Sequence, residues 1–255
     1  MQATPLAERH ALVTGGGSGI GLATAAALTA AGARVTVFGR RESKLRDAVA
    51  AGQAASWVIA DVTDEAVTVS AIAQAGASSG PILLLVNAAG AAETATFQQT
   101  SLAMFEQMWR VNVAGAISAT QAALPAMLAA GFGRIVNIGS TASLKGYRYV
   151  GAYVAAKHAL LGLTRALAQE VAGSGVTVNA VCPGFTDTDL VRRSIDRIVA
   201  RTGRSPEQAL SELTQVNPLG RLIRPDEVAA AIVYLCLPEA AAVNGQALAV
   251  DGGET

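Results

Sequence analysis

The chain has 255 residues, 51% of them hydrophobic and 15% charged, with 19 basic and 19 acidic side chains and zero formal net charge. That length suits one domain with a sizeable core, and the balanced charge gives no reason to expect nucleic acid or a membrane surface as partner. The two cysteines, Cys182 and Cys236, show no CxxC or metal-type spacing, so a reducing, cytoplasmic setting without disulfides is expected.

The opening "MQATPLAERHALVTG" lacks a basic region followed by an apolar one, so no signal peptide is expected. Ala11–Thr14 reads as a first strand, and a helical pattern follows over Gly19–Ala31. Glycines crowd the junction. The literal G-x-G-x-x-G spacing is not met, but G-x-x-x-G-x-G is, on Gly15, Gly19 and Gly21. A dinucleotide site makes the same demands: a tight turn, close backbone approach to a pyrophosphate, and free N–H groups at a helix start. Gly17, Ser18 and Ile20 belong to the same candidate loop. A glycine-rich turn without a ligand is the plainer alternative. Its place between first strand and first helix favours the nucleotide.

The second strand, Arg34–Phe38, runs into "GRRE". An NAD site usually has an acidic residue about 20 residues past the glycines, where it holds the ribose hydroxyls. Gly39 stands there instead, followed by Arg40 and Arg41. Paired guanidiniums suit a 2′-phosphate, which favours NADP(H) and leaves NAD(H) possible. The alternative is a solvated loop in which Glu42 blunts both charges.

Further along, strands are expected at Ser56–Ala60, Ile82–Asn87, Arg134–Ile138, Thr177–Val181 and Gln246–Val250. Helices are expected at Ser43–Ala51, Asp64–Ala75, Ser101–Ala130 (broken near Gly115 or Pro125), Gly151–Val171 and Pro225–Leu235. The strands are continuous apolar runs, as in a parallel sheet covered on both faces. Glycine, asparagine or arginine interrupts the most apolar stretches before they reach bilayer-spanning length. Strict alternation predicts one α/β doubly wound (Rossmann) domain over residues 1–255, with a seven-stranded parallel sheet. The insert Phe185–Pro218 carries two helical segments, the second starting at "SPEQ" with Ser205 as cap and Gln208 completing a capping box. It reads as a helical lid. Arg192, Arg193, Arg197, Arg201 and Arg204 there are matched in number by Asp187, Asp189, Asp196, Glu207 and Glu212, so a solvated amphipathic lid is expected rather than a phosphate site.

"SLKGYRYVGAYVAAK" holds Tyr147, Tyr149, Tyr153 and Lys157. Tyr153 and Lys157 are four apart, on one face of a helix. A phenol titrates near pH ~10, and a neighbouring ammonium is expected to lower that value. Ser140 ends the fifth strand, where a doubly wound sheet presents groups to its ligand crevice. Taken alone, a Tyr–Lys pair is more often a surface pair, and Asn112 is a polar break in a helix. Arg148 is a candidate substrate contact or an exposed loop residue. His158 reads as structural and His10 as peripheral. No cluster suggests a metal.

"TGGGSGIG" (14–21), "DV" (61–62), "NAAG" (87–90), Asn112, Ser140, "YVAAK" (153–157) and "PGFTDT" (183–188) together resemble the short-chain dehydrogenase/reductase family. The resemblance spans essentially the whole chain. It implies that Ser140, Tyr153 and Lys157 are catalytic and that Asn112 completes a proton relay through water. It implies that Asp61 and Val62 touch adenine, that Asn87, Ala88 and Gly90 border the cofactor, and that Tyr153 and Lys157 also contact it. Pro183, Gly184, Thr186 and Thr188 match the segment that holds the nicotinamide carboxamide. Some NADP-preferring members have a basic residue where this chain has Ser18. "NPLGRLIRPDEVA" and "NGQALAVDGG" look like the 3-oxoacyl-thioester reductase branch, whereas the long lid is closer to hydroxybutyrate-type dehydrogenases. The expected activity is interconversion of a ketone and a secondary alcohol. The alternatives are an NAD(H)-linked alcohol dehydrogenase and a non-catalytic dinucleotide sensor. The resemblance also implies a homodimer or homotetramer with the tyrosine-bearing helix in an interface.

Overall fold

The computed structural model describes residues 4–255. Seven strands form one sheet: β1 (His10–Thr14), β2 (Arg34–Gly39), β3 (Ser56–Ile59), β4 (Ile82–Asn87), β5 (Gly133–Ile138), β6 (Val176–Pro183) and β7 (Ala247–Val250). Their order is β3-β2-β1-β4-β5-β6-β7, and every pairing is parallel. The crossovers carry α1 (Gly19–Ala30), α2 (Glu42–Ala50), α3 (Glu65–Ser79), α4 (Leu102–Trp109), α5 (Gly115–Ala130) and α6 (Gly151–Glu170). Between β6 and β7 lie α7 (Asp189–Thr202), α8 (Pro206–Thr214) and α9 (Pro225–Cys236). The chain winds outward from β1 to β3, then resumes at β4 on the other side. The reversal between β1 and β4 opens the crevice in which such sheets bind ligands.

Two apolar layers sandwich the sheet. Val13, Val37, Val86 and Val136 pack with Ala25 and Leu28 of α1, Leu45 of α2, and Val228 and Ile232 of α9. On the other face Leu12, Leu85, Ile135 and Val178 meet Ile72 of α3, Ala119, Ala123 and Met127 of α5, and Ala168 of α6. Each fully buried Leu or Ile contributes about 1.5–3 kcal/mol of transfer free energy. The central strands are covered on both faces, as their continuous apolar runs require. The edges differ: Trp57 and Ile59 of β3 and Leu248 of β7 are exposed, whereas the central strands show no exposed large apolar side chain.

The long helical run departs from expectation. Neither Gly115 nor Pro125 breaks it. A π-turn over Arg110–Ala114 joins α4 to α5, and Asn112 sits in that turn, buried. Gly115 serves close approach instead: a Cβ there would stand 2.7 Å from Val62 Cβ. Pro125 is exposed, so water can satisfy the carbonyl it leaves free. Leu102–Ala130 is therefore one helical stretch of 29 residues, with a most apolar window of mean hydropathy 1.4. That is longer than the interrupted runs expected from sequence. It packs on β4, α3 and α6, as a core helix of this architecture does.

His10 also differs from its peripheral reading. It is 2% exposed, with Nδ1 at 2.6 Å from the Gly80 carbonyl and Nε2 at 2.8 Å from Thr36 Oγ1. Burial, opposed by the Gly80 bond and aided by Arg34, pushes its pKa below the usual 6.5. It lies at the opposite end of the sheet from the crevice. His158 is on the surface, bonded to the Val154 carbonyl at 3.0 Å. The "SPEQ" capping box is present: Gln208 N donates to Ser205 Oγ at 3.3 Å, and Ser205 N donates to Gln208 Oε1 at 3.0 Å.

Candidate active site

The glycine loop lies between β1 and α1. Gly15 has φ of 67°, and a Cβ on it would come 2.9 Å from Ala89 N. A Cβ on Gly21 would stand 2.4 Å from the Gly15 carbonyl oxygen. Only glycine lets the helix start so close to the strand end. Gly16, which the spacing argument passed over, is equally constrained: its Cβ would meet Val37 Cγ1 at 2.6 Å. Ser18 is the N-cap of α1, and its side chain caps nothing. The first N–H groups of α1 are therefore open toward an anion, with the positive end of the helix dipole behind them. Gly17 and Ile20 flank this opening, and Thr188 packs on Gly19 from the other side. A cleft of about 310 Å³ lies between the start of α1 and the root of α7, lined by Gly19, Leu22, Thr188, Asp189, Arg192 and Pro225.

Arg40 and Arg41 leave β2 at the same end of the sheet. Arg41 Nη2 donates to Ser18 Oγ at 3.4 Å, which brings a guanidinium onto the glycine loop. Arg40 is exposed and lies 3.4 Å from Asp61 Oδ2. Burial alone would push the Asp61 carboxyl up. The Thr63 N–H and hydroxyl, at 3.0 and 2.9 Å, together with Arg40 outweigh it and hold the group below its ordinary value. Val62 is buried against Gly115. Glu42 pairs with Arg46 at 4.0 Å.

The "NAAG" loop is tied from two sides. Thr14 Oγ1 accepts from Ala88 N at 3.1 Å and Ala89 N at 3.2 Å. Asn87 Nδ2 donates to Asn137 Oδ1 at 2.9 Å, and Asn137 Nδ2 donates to Thr164 Oγ1 at 2.9 Å. This buried chain links β4, β5 and α6, and it fixes Asn87 as a support of the sheet. Asn137 and Thr164 are not marked by the sequence, because nothing local signals a buried amide or hydroxyl. Asn112 Nδ2 donates to the carbonyls of Ala91 and Met108, both at 3.0 Å, while its Oδ1 accepts from Ala91 N at 3.3 Å. Its side chain is fully engaged. Gly90 lies between: a Cβ on it would be 3.0 Å from Asn112 Oδ1 and 3.7 Å from Lys157 Nζ.

Ser140, Tyr153 and Lys157 converge beside this loop. Ser140 caps a short turn over Thr141–Ser143 at the end of β5. The first turns of α6 carry Tyr153 and Lys157 on one face, with Lys157 Nζ 5.7 Å from the Tyr153 ring centroid. Lys157 is buried and donates to the Ile138 carbonyl at 2.7 Å. Burial lowers its pKa from 10.5 to about 8, opposed weakly by Cys182. Burial likewise raises the Tyr153 phenol, while a hydrogen bond with Ser140 pulls the other way. The expected lowering is therefore not met in the protein alone: desolvation outweighs the Ser140 bond, Cys182 adds to the rise, and the Lys157 ammonium is turned to the Ile138 carbonyl. Tyr147 and Tyr149 sit in the loop before α6, and Arg148 is exposed there. Cys182 lies beneath Ser140, its Sγ 2.9 Å from where a Gly139 Cβ would stand. Pro183 ends β6, Gly184 follows, and buried Thr186 bonds the Gly184 carbonyl at 3.0 Å before Thr188 starts α7. The structure thus brings every sequence-predicted site residue to the carboxyl end of the sheet. Among the described residues no group of three or more His, Cys, Asp or Glu could hold a metal.

The arrangement joins a dinucleotide-shaped cradle to a phenol, a hydroxyl and an ammonium. Residues 9–199 match the family model described as short chain dehydrogenase. The chain belongs to the short-chain dehydrogenase/reductase family. It is an oxidoreductase of secondary alcohols and ketones, and the family binds NAD(P). It is 41% identical to galactitol 2-dehydrogenase (L-tagatose-forming) of Cereibacter sphaeroides over 96% of this chain and 94% of that one. It is 37% identical to acetoacetyl-CoA reductase of Shinella zoogloeoides over 97% and 98%. A variant of actinorhodin polyketide ketoreductase, solved with NADPH, superposes with a TM-score of 0.92 at 37% identity, covering 96% of this chain and 97% of that one.

Proposed function

We propose that this oxidoreductase prefers NADP(H) and interconverts a 3-oxoacyl thioester, on CoA or a carrier protein, with its 3-hydroxy form. The observation that carries the cofactor choice is Arg41 reaching Ser18 at the glycine loop, with no acidic residue at the end of β2. A forked cation beside the open start of α1 suits a 2′-phosphate. The polyketide ketoreductase likeness and the acetoacetyl-CoA reductase likeness support the substrate class. A second reading, an NAD(H)-linked secondary-alcohol or hydroxybutyrate-type dehydrogenase, is favoured by the galactitol dehydrogenase likeness and by Arg40 being paired with Asp61.

In this reading the residues from Gly15 to Gly21 hold the pyrophosphate, Asp61 and Val62 border the adenine, and Ala88 and Gly90 flank the ribose. Pro183, Gly184, Thr186 and Thr188 hold the carboxamide. When bound, the nicotinamide supplies the hydride donor or acceptor, and in oxidised form a positive charge. Ser140 Oγ holds the substrate oxygen. Tyr153 gives that oxygen its proton in reduction and takes it back in oxidation. Lys157, charged at neutral pH, steadies the phenolate and the ribose. Because the Asn112 side chain is engaged by Ala91 and Met108, its part in a proton relay runs through its main chain, at the π-turn. The whole of residues 1–255 acts as one domain, with residues 185–218 as the lid. Two buried free thiols fit a reducing, cytoplasmic setting. Exposed Trp109, Tyr234 and Leu248 fit a homodimer or homotetramer.

Tyr153→Phe tests the chemistry. Turnover should fall by a factor on the order of 10³, as for loss of a general acid, with NADPH binding within about twofold. Retained turnover would overturn the assignment. NADPH and NADH titrations of wild type and Arg41→Ala test the cofactor: equal or better NADH binding by wild type refutes the preference. A panel of acetoacetyl-CoA and non-thioester ketones decides between the substrate classes.

A further inference from the structure

The segment after β7 folds back under the site. Gly252 and Gly253 take φ of 70° and 91°, and a Cβ on Gly252 would stand 2.2 Å from Asn217 Oδ1, where the α8 connection ends. Buried Asp251 ties the turn, accepting from Gly253 N at 3.0 Å, Thr255 N at 2.9 Å and Thr255 Oγ1 at 2.6 Å. This turns Glu254 inward, where its side chain is 1% exposed.

A buried carboxylate is costly unless it is paired. Glu254 Oε1 is paired with a single loop, while its Oε2 is buried with no hydrogen-bond partner among the described residues. Lys145 Nζ lies 3.2 Å from Oε1 and donates to the Glu254 main-chain carbonyl at 2.9 Å. The Tyr147 hydroxyl bonds both Glu254 Oε1 and, at 2.7 Å, Thr141 Oγ1. The phenol has one proton and a carboxylate can only accept, so that proton goes to Glu254 and the Thr141 hydroxyl donates to the phenol oxygen. Thr141 directly follows Ser140. The Tyr147 ring meets Phe185 edge-on at 6.2 Å, and Phe185 directly follows Gly184. The loop between Ser140 and α6 also stores strain, since Tyr149 has φ of 68°, a conformation that surroundings must enforce. On the far side Ala95 N donates to the Tyr149 carbonyl at 2.8 Å.

We infer that Glu254 is a positioning residue for substrate binding. It clamps the loop of residues 144–150 through Lys145 and Tyr147, and so sets the wall that faces Ser140 and Tyr153 without touching the reacting atoms. The effect on substrate rests on the function proposed above; the clamp itself does not.

The test uses the full chain as wild type, Glu254→Ala and Glu254→Gln. Trypsin under native conditions, read by mass spectrometry, reports cleavage after Lys145 and Arg148 whether or not the enzyme turns over. Glu254→Ala should speed that cleavage roughly tenfold, as expected for loss of one buried charge-assisted bond. With NADPH and the panel ketone that wild type reduces fastest, KM should rise roughly tenfold while kcat and NADPH affinity stay within about twofold. Glu254→Gln keeps the shape and an acceptor for Tyr147, so it should fall between the two. Cleavage at the wild-type rate overturns the clamp. Faster cleavage with unchanged KM overturns the substrate role, as does a fall in kcat and Tm with KM unmoved. If wild type reduces none of the ketones, the proposed function fails, and the cleavage rates still decide the clamp.

Discussion

Lys157→Met separates what the buried lysine of the candidate site costs the fold from what we propose it does for chemistry. Lys157 is 4% exposed, and burial takes its pKa from the ordinary 10.5 down to about 8. At roughly 1.4 kcal/mol per pH unit, holding the ammonium in the fold at pH 7 costs about 3 kcal/mol. Between those two values the unfolded chain keeps the lysine proton and the folded chain has lost it. The unfolded state therefore binds more protons, and stability against unfolding must rise with pH across that window. From pH 7 to 9.5 this one group should add about 2 kcal/mol to the stability of the wild-type protein. Removing the amine also strands the Ile138 carbonyl, a loss of about 1–3 kcal/mol, so at pH 7 the variant should lie between roughly equal stability and a gain of 2 kcal/mol. Urea unfolding of the cofactor-free protein at several pH values measures this directly. Wild type should gain on Lys157→Met as pH rises above 8, while turnover is lost in the variant at every pH. Parallel stability curves would refute the reasoning, because they would mean that the ammonium is not desolvated.

Other consequences are as direct. Gly115→Ala places a Cβ 2.7 Å from Val62 Cβ and 3.0 Å from the Val62 carbonyl, so it should cost about 1–3 kcal/mol in urea unfolding. Val62→Gly in the same chain removes the 2.7 Å partner and should recover part of that loss, and additive effects would show that the contact is not the cause. His10, with its pKa below the usual 6.5, is neutral in the fold and protonates more readily once unfolded. Stability should thus fall as pH drops through about 6.5, and His10→Gln should flatten that limb. Arg41→Ala should weaken NADPH roughly tenfold to a hundredfold in a fluorescence titration and leave NADH nearly unchanged, the discrimination expected of one charge-assisted pair.

The sequence by itself determined whatever depends on short spacing. The glycines between β1 and α1 are legible because a tight turn and close approach need them within a few residues of a strand end. Tyr153 and Lys157 are legible because the helical repeat puts residues four apart on one face. The alternation of apolar runs carried the sheet and its windings. Tertiary structure decided what depends on desolvation and on long separations. The direction of the Tyr153 shift follows from burial, which spacing cannot report. Asn112 in its π-turn, and Gly115 against Val62, depend on where α5 lands on the β3–α3 connection. The inward His10 depends on Gly80 and Thr36, brought alongside by the strand order. Glu254 meets Tyr147 across 107 residues of sequence. No local pattern encodes that contact, because it exists only once β7 has paired with β6 and the chain has turned back beneath Ser140.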